Sequence, residues 1–261
     1  MIIKNSDSMK VLITGASSGI GRDLARVLSK TYDEMVLVGR DKERLESLQK
    51  ELTNAKIKIV SLDISNMDNC IQLFEDNKDM DLLINNAGFG DCGFFDETDL
   101  HKDFNMINTN IVGLHILTKL YLEEMKKKNS GHILNVASIA GFMPGPLMAT
   151  YYATKNYVVR LSEAIRVELK KEKSKVKISI LCPGPVNTKF NQRANVKFNL
   201  QGMESMKLAE YAVKHLNRFY IVPGLGVKIT RFFSHIVSSN MMAKFCFNIQ
   251  KKKIYKQVLT I

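Results

Sequence analysis

A tyrosine and a lysine four positions apart are the side chains of this sequence that best suit acid–base chemistry. Tyr151 and Lys155 stand near the start of a predicted helix, where this spacing places both side chains on one face. A free tyrosine has a pKa of about 10, and a neighbouring ammonium stabilises the phenolate and lowers that pKa towards neutrality. The same spacing also occurs on solvated helix faces, so the pair alone does not establish a site. Tyr152 is a competing tyrosine, but it is three positions from Lys155 and is expected to point elsewhere.

Ser138 comes 13 residues before Tyr151, at the carboxyl end of a predicted strand. Parallel α/β sheets bind ligands outside the carboxyl ends of their strands, so this hydroxyl is expected in the same crevice as the tyrosine. The alternative is a loop serine that caps the following turn, and for Ser138 alone that explanation is favoured.

A glycine-rich turn follows the first predicted strand and reads Thr14-Gly15-Ala16-Ser17-Ser18-Gly19-Ile20-Gly21. Glycines let the backbone turn sharply and approach a pyrophosphate, which the N–H groups at the start of the next helix attract. The alternative is a plain helix N-terminus capped by Ser17 or Ser18. The position directly after the first strand favours a dinucleotide.

The residues after the second predicted strand indicate which dinucleotide fits. An acid there would bind a free ribose 2′-hydroxyl, but the sequence has Gly39-Arg40 instead. An arginine can donate two hydrogen bonds to a 2′-phosphate and balance its charge, so NADP(H) is predicted over NAD(H). The alternative is that Arg40 is an ordinary surface arginine.

Apolar runs alternate with helical patterns along the chain, which predicts one doubly wound α/β domain with a parallel sheet and helices on both faces. Strands are predicted at residues 10–14, 35–39, 57–60, 81–85, 132–136, 175–182 and 220–222. Helices are predicted at about residues 20–30, 41–52, 67–76, 100–128, 151–171 and 204–218. Residues 225–261 are expected to form an irregular helical extension of the domain at 1–224.

Length and composition exclude several classes of protein. Of the 261 residues, 45% are hydrophobic and 25% are charged, a mixture typical of a globular domain and not of disordered or fibrous sequence. No apolar run is long enough to span a bilayer, and the first ten residues do not resemble a secretory signal. The four cysteines are far apart and form no CxxC pair, which argues against a metal site and favours a cytoplasmic location.

The positive charge is concentrated at the end of the chain. The net charge is +12, and residues 207–261 carry ten basic residues against the single acid Glu210. The nearly balanced remainder argues against nucleic-acid binding. The basic, partly aromatic tail is compatible with packing on the body or on a second subunit, and also with contact with an anionic membrane surface. Its apolar positions drift around a helix instead of holding one stripe, which favours packing against protein.

Together these motifs resemble the short-chain dehydrogenase/reductase family over about residues 9–224. The resemblance also rests on Asn85-Asn86-Ala87-Gly88, on Asn110-Ile111-Val112-Gly113, and on Pro183-Gly184 with Thr188. Each segment is weak alone, but they occur in the expected order and each on its expected element. The resemblance implies a Rossmann-type fold, an NADP(H) cofactor, and a dimer or tetramer.

The resemblance also implies a role for each matching residue. Tyr151 would be the general acid or base, Lys155 would lower its pKa and bind the nicotinamide ribose, and Ser138 would hold the substrate oxygen. Asn110 would anchor a water that links Lys155 to solvent. The implied cofactor-binding residues are Gly15, Ser17, Ser18, Gly19, Ile20, Gly21, Arg40, Asp63, Ile64, Asn86, Ala87, Gly88, Tyr151, Lys155, Pro183, Gly184, Val186 and Thr188.

The substrate pocket is expected to be largely apolar. Residues 139–148 include Phe142, Met143 and Met148 and contain no acid or arginine, which suits a lipophilic ketone or secondary alcohol, steroid-like or acyl-derived. In the family the segment after Thr188, here residues 189–203, usually folds over the substrate, and Lys189 and Arg193 could meet a distal carboxylate. The alternative is that these apolar residues only complete the core.

The leading hypothesis is therefore an NADP(H)-dependent oxidoreductase that interconverts a ketone and a secondary alcohol. One alternative is a non-catalytic NADP(H)-binding redox sensor, although the set of Asn110, Ser138, Tyr151 and Lys155 is intact. The other is an interaction protein that contacts a membrane surface through its basic tail.

Overall fold

The computed structural model describes residues 8–188, 190 and 202–258, and its centre is a seven-stranded parallel β-sheet. The strands of this sheet are β1 (Lys10–Thr14), β2 (Glu34–Gly39), β3 (Lys56–Ser61), β4 (Leu82–Asn85), β5 (His132–Val136), β6 (Lys177–Leu181) and β9 (Tyr220–Ile221). A separate pair is formed by β7 (Val186–Asn187) and β8 (Met203–Glu204). The sheet order is β3-β2-β1-β4-β5-β6-β9, so the winding reverses between β1 and β4. The predicted doubly wound α/β class is confirmed.

Helices cover both faces of the sheet because alternate strand residues point to opposite sides. In β1, Val11 and Ile13 belong to one buried cluster, whereas Leu12 belongs to the other. The first cluster is covered by α1 (Gly19–Leu28), α2 (Lys42–Glu51) and α7 (Ser205–Lys214). The second is covered by α3 (Met67–Glu75), α5 (Leu114–Lys128) and α6 (Ala149–Lys171).

The long helix predicted over residues 100–128 is present with these bounds, but a π-helical turn interrupts its α-helical hydrogen bonding. Helix α4 (Leu100–Ile107) is followed by a π-helical turn at Asn108–Gly113, and α5 begins only at Leu114. The sequence does not reveal such a turn, because a helical pattern continues on either side of it. Single π turns inside helices are frequent at functional sites.

The C-terminal extension is helical, as expected, but its described residues form two regular helices instead of an irregular segment. They are α8 (Leu225–Ile236) and α9 (Ser239–Val258). The apparent drift of apolar positions arises because the phase restarts at the break between them. Met242 and Cys246 of α9 are buried in a third cluster with Val158 and Phe142, so part of the tail packs on the body. In the described part of the chain, no helix combines the length and apolarity needed to cross a membrane.

Candidate active site

The glycine-rich turn leads into a helix N-terminus that lacks a side-chain cap. Helix α1 begins at Gly19, and Ser18 at its N-cap position makes no side-chain hydrogen bond to the helix. In α2, α3 and α4, by contrast, Asp41, Asn66 and Asp99 each accept a hydrogen bond from a first-turn N–H. The capping alternative therefore does not hold for Ser18, and the start of α1 is suited to an anion.

Asn86 ties the glycine-rich turn to the end of β4. Its side-chain amide donates hydrogen bonds to the carbonyl oxygens of Thr14, at 2.9 Å, and Gly15, at 3.2 Å. Gly15 has a φ of +68°, and a Cβ there would lie 2.8 Å from the Ala87 Cα. A Cβ at Gly21 would lie 2.4 Å from the Gly15 oxygen. Only glycine fits these two positions, so the sequence motif has a steric cause.

One continuous cavity, which we call the central groove, runs along the carboxyl ends of the strands past the reversal point. Gly21 lies beneath the turn and does not line it. All the other residues predicted to bind the cofactor do: Gly15, Ser17, Ser18, Gly19, Ile20, Arg40, Asp63, Ile64, Asn86, Ala87, Gly88, Tyr151, Lys155, Pro183, Gly184, Val186 and Thr188.

Arg40 stands at one end of the central groove. Its side chain is 64% exposed, and its Nη1 lies 3.3 Å from the Asp63 Oδ2. Burial opposes ionisation of Asp63, but hydrogen bonds from Ser65 and the charge of Arg40 hold the pKa of that carboxyl below its usual range. Asp41 also lines this end, but its carboxylate caps α2 and pairs with the Arg44 Nε at 3.1 Å. The guanidinium of Arg40 is thus placed where an anionic group at this end could meet it.

Ser138, Tyr151 and Lys155 converge at the other end of the central groove. The Lys155 Nζ lies 5.9 Å from the centre of the Tyr151 ring and donates a hydrogen bond to the Val136 carbonyl oxygen at 2.9 Å. The Ser138 Oγ accepts a hydrogen bond from the Ala140 N–H at 3.2 Å. Both interpretations of Ser138 are therefore correct, because it caps the following turn and also lines the groove.

Burial determines the protonation of Tyr151 and Lys155. Burial raises the pKa of Tyr151 to about 12, and hydrogen bonding with the Ser138 side chain opposes this shift. Burial lowers the pKa of Lys155 to about 8, with Cys182 acting in the opposite direction. The expected lowering of the tyrosine pKa by Lys155 is not found in this arrangement, in which the ammonium bonds to Val136. Tyr151 therefore keeps its proton at neutral pH, as a general acid requires.

Asn110 lies behind the central groove and supports its wall. Its Nδ2 donates hydrogen bonds to the Phe89 carbonyl at 2.9 Å and to the Thr154 hydroxyl at 3.1 Å, and its Oδ1 accepts one from the Phe89 N–H at 3.1 Å. A Cβ at Gly88 would lie 2.9 Å from the Asn110 Oδ1 and 3.5 Å from the Lys155 Nζ. The water-anchoring role implied for Asn110 stays a prediction.

Comparison with known proteins agrees with this geometry. Residues 9–198 match the family model described as short chain dehydrogenase. This chain belongs to the short-chain dehydrogenase/reductase family. An uncharacterised oxidoreductase from Staphylococcus saprophyticus is 33% identical to it over 208 residues, which cover 78% of this chain and 85% of that protein. The protein is thus an oxidoreductase of this family.

Solved structures of short-chain dehydrogenases share its fold. One from Sphingobium yanoikuyae, in complex with NADPH, is 30% identical with a TM-score of 0.76, over 83% of this chain and 88% of that one. Another from Burkholderia phymatum, in complex with NAD, is 26% identical with a TM-score of 0.78, over 88% and 93% of the two chains. The family resemblance therefore leaves the choice between NAD and NADP to the residues of the groove.

The central groove of this short-chain dehydrogenase fits a nicotinamide dinucleotide. The uncapped start of α1 offers backbone N–H groups to a pyrophosphate, and Gly19 has a φ of +57° with Thr188 packed 3.2 Å from where its Cβ would be. This close approach and the positive φ leave little room for a side chain at Gly19. The Tyr151 and Lys155 side chains would flank the nicotinamide end.

Two residues of this dehydrogenase site were not expected from the sequence: Tyr152, which was expected to point elsewhere, and Gln250. The apolar end of the groove is formed by Met148, Tyr152 and Phe190, and the Phe190 ring centre lies 5.3 Å from that of Tyr151. Gln250 of α9 also lines the groove, and its Nε2 donates a hydrogen bond to the Tyr152 hydroxyl at 2.8 Å. No local pattern could reveal Gln250, because only the packing of α9 brings it there.

The turn after Ser138 contributes less to the groove than expected. Ile139, Ala140 and Met148 line it, but Phe142 and Met143 are buried in the third core cluster beneath the tail. For these two residues the core-packing alternative was correct.

The segment expected to cover the substrate follows β7 in the sequence and precedes β8, and most of it lies outside the described residues. These short strands pair in parallel, and the Met203 N–H donates a hydrogen bond to the Pro185 carbonyl at 3.0 Å. The predicted contacts of Lys189 and Arg193 lie outside the described residues. Phe190 lies beside Tyr151, as a cover over the substrate would require.

Proposed function

We propose that this protein is an NADP(H)-dependent oxidoreductase that interconverts a lipophilic ketone and a secondary alcohol. The observation that carries the proposal is the convergence of Ser138, Tyr151 and Lys155 at one end of the central groove, next to the apolar side chains of Met148 and Phe190. Three polar groups meet there at an otherwise apolar surface. Such a surface suits a substrate with one reactive oxygen on a hydrocarbon frame.

The chain's own residues supply orientation and the proton, whereas the bound nicotinamide supplies hydride chemistry. In reduction, the Ser138 hydroxyl donates a hydrogen bond to the carbonyl oxygen and holds it beside the Tyr151 hydroxyl. Tyr151 then transfers its proton to that oxygen as negative charge develops. Lys155, while protonated, stabilises the phenolate that remains. In the oxidative direction the same phenolate accepts the proton of the alcohol.

The preference for NADP(H) rests on Arg40. Its guanidinium is at the groove end opposite Tyr151, and the acid that follows it, Asp41, is already paired with Arg44. A 2′-phosphate would replace the carboxylate of Asp63 as the partner of Arg40, with a charge-assisted and bidentate geometry. The similar Sphingobium enzyme binds NADPH, and the similar Burkholderia enzyme binds NAD.

The proposal extends to partners and location. A second copy of the chain is expected, in line with the family resemblance, and the basic tail is a candidate for contact with a membrane surface. All four cysteines are thiols and not disulfides, and three of them are buried, which supports a cytoplasmic location. The redox-sensor alternative is less favoured, because Ser138, Tyr151 and Lys155 are assembled together and not merely present in the sequence.

The test is oxidation of NADPH, followed by its absorbance, with a panel of lipophilic ketones and with NADH in parallel. We expect turnover with NADPH that exceeds turnover with NADH. The Tyr151→Phe variant should lose at least about a hundredfold in kcat while it still binds NADPH, since a general acid contributes about that much. Unchanged turnover in this variant would remove Tyr151 from the mechanism. Tight NADPH binding without turnover of any ketone would favour the sensor instead.

A further inference from the structure

Each of the two C-terminal helices exposes apolar side chains, which together we call the C-terminal apolar face. Its eight members are half of the sixteen large hydrophobic side chains exposed among the described residues, and they fall within a stretch of 25 residues. They are Leu225, Ile229, Phe232, Phe233, Ile236, Met241, Phe245 and Ile249. An apolar surface this concentrated marks a contact with a partner or a membrane.

The spacing shows that each helix carries its own stripe. On α8 the exposed residues follow steps of four, three, one and three, which keeps them on one side of the helix. On α9 they follow steps of four, beside a second row formed by Met242, Cys246 and Gln250, which is buried against the body. The buried row, which we call the inner row, packs α9 on the body. The exposed outer row is therefore held in a fixed position.

Arg231 fixes α8 in the same way. Its guanidinium lies 3.8 Å from the centre of the Tyr220 ring and 5.2 Å from that of Phe142, so this cation faces inward. Lys228 and Lys244 are exposed alongside the apolar stripes. Residues 225–261 contain seven lysines and arginines and no aspartate or glutamate. The apolar side chains therefore belong to a segment whose charged residues are all basic.

A second cavity, of about 510 Å³, borders this face between α7, β9 and α8. It combines the cations Arg218 and Lys228 with aromatic rings and with the inward-facing Arg231, and none of the described residues that line it is acidic. Its lining consists of Tyr211, Arg218, Tyr220, Val222, Lys228, Arg231, Phe232 and Ile236. Cations next to exposed apolar side chains match a surface in which phosphate groups lie above hydrocarbon chains.

We propose that the C-terminal apolar face docks this protein on an anionic phospholipid surface. The apolar side chains enter the boundary between headgroups and acyl chains, and the lysines meet the phosphates. A second copy of the chain is a poorer occupant, because a two-fold contact would place the basic segment against itself. Neither helix can span the bilayer, so the protein lies on the surface.

Docking places the membrane next to the helix that reaches the central groove. Gln250 lines that groove from the inner row of α9, one helical position from the exposed Ile249. A lipophilic ketone dissolved in the bilayer would therefore enter close to the site of reduction. This consequence rests on the proposed function, whereas the docking itself does not.

The test is flotation of the full-length protein with vesicles of phosphatidylcholine alone, or of equal parts phosphatidylcholine and phosphatidylglycerol. We expect binding to the mixed vesicles that weakens as salt is raised. The variant Phe232→Ser/Phe233→Ser should lower the partition coefficient about tenfold or more, since two large apolar side chains no longer leave water. Lys228→Gln/Lys244→Gln should lower it on the order of tenfold through lost attraction to anionic lipid.

Matched controls are Phe95→Ser/Phe104→Ser, which removes two exposed phenylalanines elsewhere, and Lys170→Gln/Lys171→Gln, which removes two exposed lysines of α6. Both should bind vesicles like the unaltered protein, and all variants should keep its melting temperature. Point substitutions are preferable to deletion of the tail, which would uncover Met242 and Cys246.

Absence of vesicle binding, equal binding to neutral vesicles, or equal losses in the controls would overturn the proposal. So would a dimer that the Phe232→Ser/Phe233→Ser change dissociates while vesicle binding is unaffected.

Discussion

The Gln250 Nε2 donates a hydrogen bond to the Tyr152 hydroxyl at 2.8 Å, although the two residues are 98 positions apart. Gln250 is 2% exposed, and burial raises the pKa of Tyr152, so the tyrosine remains a neutral acceptor. Both side chains line the central groove next to Tyr151. The C-terminal tail therefore takes part in the wall of the central groove and is not a separate appendage.

The Gln250–Tyr152 pair should show coupling in a double-mutant cycle. We expect Gln250→Leu and Tyr152→Phe to lower the free energy of unfolding non-additively, with a coupling of about 1 kcal/mol, as for other buried hydrogen bonds. Denaturant unfolding of the two single variants and the double variant measures it. Gln250→Leu should also change KM for the ketone, while the Kd for NADPH stays the same. Asn248→Leu, an exposed amide on the same helix, is the control. Strictly additive losses would contradict a direct bond.

Gly88 should tolerate no side chain, because it packs directly against Asn110. A Cβ there would lie 2.9 Å from the Asn110 Oδ1, so Gly88→Ala must displace that side chain, which also donates a hydrogen bond to Thr154, the residue before Lys155. We expect kcat to fall about tenfold or more, as misplaced catalytic groups do. Gly226→Ala is the matched control, since a Cβ at Gly226 meets nothing within 4 Å. Equal activity of the two variants would show that Gly88 has no supporting role.

Arg40 should control the choice of dinucleotide. The Arg40→Ala change removes a charge-assisted contact to a 2′-phosphate, so the ratio of kcat/KM for NADPH over NADH should fall about tenfold to a hundredfold. The loss should come from NADPH, with NADH nearly unaffected. Lys42→Ala is the control, because Lys42 is an exposed cation two positions away that does not line the groove. If both variants alter the ratio alike, the effect belongs to general surface charge.

The rate of ketone reduction should depend on the protonation of Lys155. Burial lowers the pKa of Lys155 to about 8 and raises that of Tyr151 to about 12, so both groups carry their protons at neutral pH. As pH rises through about 8, Lys155 loses its charge first, and kcat/KM should fall with a slope approaching tenfold per pH unit. This fall is measured by the profile of kcat/KM between pH 6 and pH 10, which reports the ionisations of the free enzyme. The midpoint of the fall should lie within about one pH unit of the pKa of Lys155.

The matched variant for this profile is Lys155→Arg, because a guanidinium stays charged throughout the range. Any activity that it retains should lack the alkaline fall near pH 8. Tyr152→Phe should keep the original profile. A flat profile in the unaltered protein would mean that the charge of Lys155 is not required.

Much of the fold was predictable because parallel sheets are buried on both faces. The four residues of β4 are all buried, and β5 and β6 expose only their first residues, so these strands appear as short apolar runs between polar turns. The glycine-rich turn was also predictable from the local sequence, since Gly15 and Gly21 occupy positions where a Cβ has no room. The π turn that carries Asn110 was not, because helical periodicity continues on either side of it.

The sequence by itself determined the order of strands and helices along the chain, the types of the reactive side chains, and the basic character of the tail. These follow from local spacing and composition, which each segment carries independently of the others. Only the tertiary structure decided that Gln250 reaches the groove, that Phe142 and Met143 are core residues, and that burial controls the pKa of Tyr151 and Lys155. It also decided which apolar residues of the tail remain exposed. Each of these depends on contacts between residues far apart in the chain, and those contacts exist only after the layers have packed.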